Sequence, residues 1–307
     1  MDLRSTILHW CICLGEKFTF ARSRLVESFL WNLGVTSEPH LRYFRRKSAA
    51  TYQLITVVDD IYDVYVTMEE LELFTNVIES WDINEVENLP DYMKICFLAV
   101  YNYVNEIAFD VLKEKGFNII PYLKKGWVDL CKAYMKEVKW YHSGYKPSFD
   151  EYLENGWVSI GGPNVLIHNY FFGANPITME ALACFEQDYP NVIYLSQMIF
   201  RLINDLSTCS SEIRVGNVPK LIECYMNEKG VSESEAKEHV RSSIDQTWKK
   251  MNEDVLTSSP FPHSFKVVAM NVARMSLWMY PFADGHTDQD PITKDRIASL
   301  LIEPVPL

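Results

Sequence analysis

Glycine and proline are scarce in this chain, 12 and 14 among 307 residues, and most stand at segment edges. Strand signals are correspondingly weak, which argues against a β-rich fold with its frequent turns. Basic residues are also in short supply: 29 Lys and Arg stand against 41 Asp and Glu, for a net charge of −12. That balance excludes the basic face a nucleic-acid duplex requires. It leaves room for a phosphorylated small molecule, which needs only a few local cations. The seven cysteines are scattered (Cys11, Cys13, Cys96, Cys131, Cys184, Cys209 and Cys224) and make no CxxC pair. No histidine lies at zinc-finger spacing from Cys11 and Cys13. The odd, unpatterned set reads as reduced core thiols of an intracellular protein. No uninterrupted apolar run reaches the ~18 residues of a membrane span. Internal repeats, low-complexity tracts and flexible linkers are missing too, so one domain spanning 1–307 is expected.

What is present is apolar and aromatic. Hydrophobic residues make up 48% of the chain, and 17 Tyr, 16 Phe and 8 Trp supply rings for a large core. Long segments carry apolar residues at three- and four-residue spacing. The pattern predicts helices over Leu89–Lys115, Ile120–Trp140, Ser232–Met251 and Phe265–Tyr280. Ser232 and Glu235 have the spacing of a capping box. The expected fold is all-α, a bundle of roughly ten or more helices. Gly161-Gly162-Pro163 is the strongest internal break. It fits either a loop between two helices or a helix interrupted where a ligand approaches the backbone.

The segment from Leu54 to Val66 is the most informative. Asp59, Asp60 and Asp63 sit inside a run of β-branched and aromatic residues. On a helix, Asp59 and Asp63 fall one turn apart on one face, with Asp60 rotated beside them. Carboxylates held together in apolar surroundings repel unless a cation binds them. An acidic patch at a solvated helix end is the competing reading; the apolar flanks favour a metal site. All-oxygen ligands suit Mg²⁺ or Mn²⁺ rather than zinc.

A second oxygen-rich face follows. Asn204, Thr208 and Glu212 are spaced i, i+4, i+8, so they form one helical stripe with about 6 Å of rise between neighbours. Arg201 precedes them by one turn on nearly the same side. Two such faces with divalent cations would make a site for a polyanion such as diphosphate.

With both faces in hand, the sequence resembles the class I plant terpene synthases, angiosperm monoterpene synthases above all. Asp59-Asp-Ile-Tyr-Asp-Val-Tyr65 is similar to the family's aspartate-rich motif. Asn204-Asp205, Thr208 and Glu212 are similar to its second metal motif. Phe20-Ala-Arg22-Ser-Arg24-Leu-Val-Glu27 resembles its RxR segment, about 35 residues before the aspartates. Leu89-Pro-Asp-Tyr-Met-Lys94, Leu130-Cys-Lys-Ala-Tyr134 with Trp140-Tyr141, and Ala273-Arg-Met275 with Asp284-Gly-His286 extend the resemblance from about Lys17 onward.

The resemblance implies a catalytic helical bundle around a central cavity, with three Mg²⁺ ions and Mn²⁺ as a substitute. Asp59 and Asp63 would bind two ions, with Asp60 in support; Asn204, Thr208 and Glu212 would bind the third. Arg22, Arg24 and Arg201 would hold the diphosphate. Trp31 and Tyr280 match positions lining the family's pocket, and Asp284 matches a residue near Tyr280. Lys220 lies in a similar VPK stretch and is a weaker candidate for the diphosphate, reading first as a surface lysine. The implied reaction ionises geranyl diphosphate and releases diphosphate and a monoterpene. Alternatives are farnesyl diphosphate as substrate, chain elongation by a prenyltransferase, and an inactive family member. The second metal face is not a second DDxxD, which argues against elongation.

Several positions depart from the family pattern. Val66 stands where Gly is usual, Val215-Gly216-Asn217 where Arg-Gly-Asp is usual, and Pro281-Phe282-Ala283 and Thr287 surround Asp284. The resemblance begins almost at Met1, so the family's N-terminal helical domain is expected to be absent. The lone Arg-Arg pair, Arg45-Arg46, has no Trp at the RRx8W distance. Met1–Gly15 is too short and too poor in Arg and Ser for a transit peptide. The expected location is the cytosol for a complete chain and the plastid if a leader precedes it.

Overall fold

The computed structural model describes residues 24–63, 67–173, 176–212, 220–280, 295 and 298–299, with the backbone alone at 210–212. Every regular element among them is helical. Twelve α-helices run in order: α1 (Leu25–Val35), α2 (Arg42–Asp63), α3 (Met68–Ser80), α4 (Asp91–Lys115), α5 (Ile120–Ser143), α6 (Phe149–Ser159), α7 (Gly162–Gly173), α8 (Met179–Gln187), α9 (Asn191–Glu212), α10 (Leu221–Lys229), α11 (Glu233–Leu256) and α12 (His263–Met279). Short 3₁₀ turns at Pro39–Leu41 and Ile83–Asn88 complete the set.

Local chemistry explains the ends. Capping boxes open α3 (Thr67, Glu70), α6 (Ser148, Glu151) and α11 (Ser232, Glu235), each side chain satisfying a backbone N–H of the first turn. Pro90 precedes α4, and left-handed glycines, Gly116 and Gly144, close α4 and α5. The four helices expected from periodicity all form. Two run longer than their patterns, α5 to Ser143 and α11 to Leu256. Beyond Met251 the exposed Asn252 and Glu253 face water and carry no apolar signal.

α9 is the central helix, packed against α6, α7, α10, α11 and α12. α1 lies on α2 and α12, α2 on α7, and α3 on α5. Fully buried Trp31, Trp127, Tyr152 and Tyr170 anchor the core. Among the described residues Cys96, Cys131, Cys209 and Cys224 are buried free thiols, and Cys184 is half-buried. One helix, α4, is long and apolar enough to cross a membrane by length and composition, with a mean hydropathy of 1.4. Half of that stretch is buried inside the bundle, where Met93, Phe97, Val100, Val104 and Ile107 join the core.

Gly161 settles the two readings of the internal break. No loop intervenes: α6 stops at Ser159, α7 starts at Gly162, and Ile160 and Gly161 make the turn between them. Gly161 adopts φ of 82°, open to glycine at little cost. The amide of Gly161 still bonds to Val158 O at 3.0 Å, so the two helices stay nearly continuous.

Candidate active site

The apolar and acidic halves of α2 point the same way. Tyr52, Ile55, Thr56, Asp59 and Asp63 recur at helical spacing and line one wall of a cavity of about 270 Å³. Phe200, Arg201, Asn204 and Thr208 of α9 form the facing wall. Both helices run from an aromatic ring to oxygen donors near their C-terminal ends. Neither has a basic residue in its last turn. The negative ends of two helix dipoles thus add to the carboxylates, and cations are favoured there.

A third wall comes from α5 and the turn after α6. Tyr134 and Glu137 line the cavity, as do Ser159, Ile160 and Gly161. The turn therefore brings backbone to the cavity surface. Glu137 accepts from Asn155 Nδ2 at 3.1 Å and Ser159 Oγ at 2.6 Å, both on Oε1. Burial, followed by the Asp59, Glu137 and Asp63 carboxylates, holds the Tyr134 hydroxyl well above its ordinary range. All three carboxylates line the cavity together with this ring.

The floor is aromatic. Trp31 packs on Phe200 at 5.0 Å, Tyr52 at 5.9 Å and Tyr280 at 6.1 Å between ring centroids. Tyr52, Phe200 and Tyr280 line the cavity. Trp31 is fully buried one ring behind them. Trp31 is not among the residues lining this cavity and packs against the three rings that are. Ser207 Oγ donates to Tyr280 O at 2.5 Å and ties the end of α12 to α9.

Cationic side chains close the polar end. Arg24, Arg201 and Lys220 all line the cavity. Lys220 is thus not the surface lysine that its sequence context indicated. It stands at the N-terminus of α10, where its own backbone amide bonds to Glu223. Arg24 is held from behind, its backbone N–H donating to Gln53 Oε1 at 2.8 Å.

The predicted site residues thus fall into groups. Asp59, Asp63, Arg24, Arg201, Asn204, Thr208 and Tyr280 share the cavity. Asp60 is buried and does not line the cavity. Glu212 ends α9, one more turn along the Asn204–Thr208 stripe. Arg22 and Asp284 lie outside the described residues, as do Val66, Val215–Asn217 and Pro281–Thr287. Arg45, of the Arg-Arg pair, is structural: it donates to Thr36 O and Glu38 O at the turn before α2.

The donor set fits a hard divalent cation. Carboxylate, amide and hydroxyl oxygens face one another, and among the described residues no thiol or imidazole joins them. Thr208 Oγ1 donates to Asn204 O at 3.0 Å, so its oxygen stands on the same stripe as the Asn204 amide. Among the described residues no three acidic, imidazole or thiol groups could hold an ion alone. The oxygen donors are instead divided between the walls of the cavity.

The chain as a whole is similar to known proteins. The terpene synthase family, metal binding domain, matches residues 12–250. The chain belongs to the terpene synthase family. The chloroplastic myrcene synthase of Quercus ilex is 53% identical over 307 residues, covering 100% of this chain and 51% of that protein. Isoprene synthase from grey poplar, solved with three Mg²⁺ ions and dimethylallyl-S-thiolodiphosphate, superposes with a TM-score of 0.91. It is 45% identical and covers 98% of this chain and 57% of its own. A limonene synthase solved with 2-fluorolinalyl diphosphate gives a TM-score of 0.93 at 44% identity, covering 98% of this chain and 56% of that one. The chain spans about half the length of these relatives. Its fold is the all-α bundle of class I terpene synthases.

One cavity residue, Glu137, escapes the sequence reading, and a second, Lys220, reads there chiefly as a surface residue. Glu137 lies three positions after Tyr134 on the same helix, a detectable signal. A single glutamate on an amphipathic helix is ordinarily solvated, however, so spacing alone does not single it out. Lys220 has the same difficulty: only the approach of α10 to α9 brings it inward.

Proposed function

We propose that this terpene synthase domain ionises a prenyl diphosphate, geranyl diphosphate in the first place, and converts the cation to a monoterpene. The observation that carries the reading is the cavity's polarity, with oxygen donors and cations at one end and rings at the other. Asp59 and Asp63 would hold ions on the α2 wall with Glu137 on the adjoining α5 wall, and Asn204, Thr208 and Glu212 on the α9 wall. Magnesium, or manganese in its place, would supply neutralisation of the diphosphate and so a better leaving group. Arg24, Arg201 and Lys220 are placed to bind the diphosphate oxygens. Tyr52, Phe200 and Tyr280 present ring faces to the cation and exclude water from it.

Cavity size favours the shorter chain. At about 270 Å³ the space lies at the small end of ligand sites, which run from roughly 300 to 1,000 Å³. A fifteen-carbon chain fits it less well than a ten-carbon one. The limonene synthase bound to a fluorinated linalyl diphosphate points the same way.

The test is Mg²⁺-dependent release of diphosphate from geranyl diphosphate, with volatile products identified. Asp59→Ala should lower turnover about a thousandfold or more, ~4 kcal/mol of barrier. Retained turnover in that variant would sink the metal assignment. A longer prenyl diphosphate formed with isopentenyl diphosphate would make the chain an elongating enzyme instead. No release under any condition would leave a helical family member without turnover.

A further inference from the structure

Arg201 owes its position to two residues that do not line the cavity. Its Nε donates to Asp205 Oδ2 at 3.0 Å. Its Nη2 donates to the Tyr152 hydroxyl, which in turn donates to Asp205 Oδ1 at 3.2 Å. The Tyr152 ring centroid lies 5.0 Å from the guanidinium carbon. All three side chains are buried. Burial opposes the guanidinium charge, but Asp205, Tyr152 and Glu137 together outweigh it and hold Arg201 well above its ordinary range. The stem passes close to α6, where a Cβ added to Gly156 would sit 3.2 Å from Arg201 Cγ.

The bonds close a triangle, and its energetics are informative. A buried ion pair contributes little net stability compared with apolar residues of similar volume. What the triangle secures is geometry. Nε and one Nη2 hydrogen are engaged, while the Nη1 hydrogens have no partner among the described residues. A planar fork fixed on one side presents its other side in a single orientation. Neighbouring residues on α9 thus divide the work: Asn204 faces the cavity, and Asp205 turns back onto Arg201.

We propose that Tyr152 and Asp205 are positioning residues that aim the free edge of Arg201 at the diphosphate. The proposal rests on the reading of the cavity as a prenyl diphosphate site. Without the phenol, Arg201 is held by Asp205 alone and gains rotational freedom that ligand binding must then remove.

Calorimetric titration of the whole chain with inorganic pyrophosphate in Mg²⁺ tests this without turnover. Tyr152→Phe should weaken binding about tenfold, the order expected for a hydrogen bond to a charged group. In an Arg201→Lys background, which has no fork to aim, Tyr152→Phe should change affinity by less than about twofold. Wild-type affinity in Tyr152→Phe overturns the proposal. So does the same loss in both backgrounds, which would mark a structural role only. If circular dichroism shows that Tyr152→Phe does not fold, Asp205→Asn carries the same cycle with the same expected outcomes. Failure of the wild-type chain to bind Mg²⁺-pyrophosphate would overturn the diphosphate reading itself and this proposal with it.

Discussion

His168 lies buried on α7, with Nδ1 2.8 Å from Asn164 O and its ring stacked on Tyr103 at 6.0 Å. Burial pushes the imidazole down to about 4. An unfolded histidine titrates near 6.5. Between these values the unfolded chain binds a proton that the folded chain does not. Stability is therefore complete above about pH 6.5 and falls as pH drops towards 4, by roughly 3 kcal/mol in all. Replacing His168 with Gln should flatten the pH dependence of the thermal midpoint across that window; an unchanged slope would remove His168 as its origin. The cavity's oxygen donors show how much of the site a sequence reveals at this scale. Asp59 and Asp63, or Asn204 and Thr208, belong to one helix each, so spacing alone places them on one face. Asp205 is adjacent to Asn204 in the same motif, yet its role is set by Tyr152, 53 positions away.

Among the helices, the turn between α6 and α7 is the element on which the cavity most depends. An alanine at Gly161 meets two obstacles: φ of +82° and an added Cβ only 2.8 Å from Ile55 Cγ2. The conformation alone costs roughly 1–2 kcal/mol. At Gly116, φ is +77° and nothing lies within 4 Å of the added Cβ. Gly161→Ala should therefore lower the urea midpoint more than Gly116→Ala does. It should also reduce turnover, because Ile55 lines the cavity. Equal losses at the two positions would show that the contact with Ile55 relaxes freely. The helices themselves were legible in the sequence because caps and periodicity are local. The shortness of this turn was not, since Gly-Gly-Pro serves a loop and a tight break alike. Only the packing of α7 against both α2 and α6 fixes which forms.

For the molecule as a whole, cavity volume becomes substrate choice. With Tyr52 and Phe200 on the wall, kcat/KM for geranyl diphosphate should exceed that for farnesyl diphosphate at least about tenfold, within the range that pocket fit supplies. Tyr52→Ala should narrow that ratio. An unmodified chain that turns over farnesyl diphosphate equally well would show that the cavity expands on binding. The sequence by itself determined the helical class and the two oxygen-donor stripes on α2 and α9. One helix supplies each stripe, and a 3.6-residue period fixes a face without knowledge of neighbours. Tertiary structure alone decided that the stripes face each other across one cavity, that Glu137 and Lys220 turn into it, and that Trp31 stands behind three other rings. It also decided that Asp205 bonds to Arg201 rather than facing the cavity. Those outcomes depend on how far apart separate helices pack and which side chains they bury, quantities that no spacing along a single helix contains.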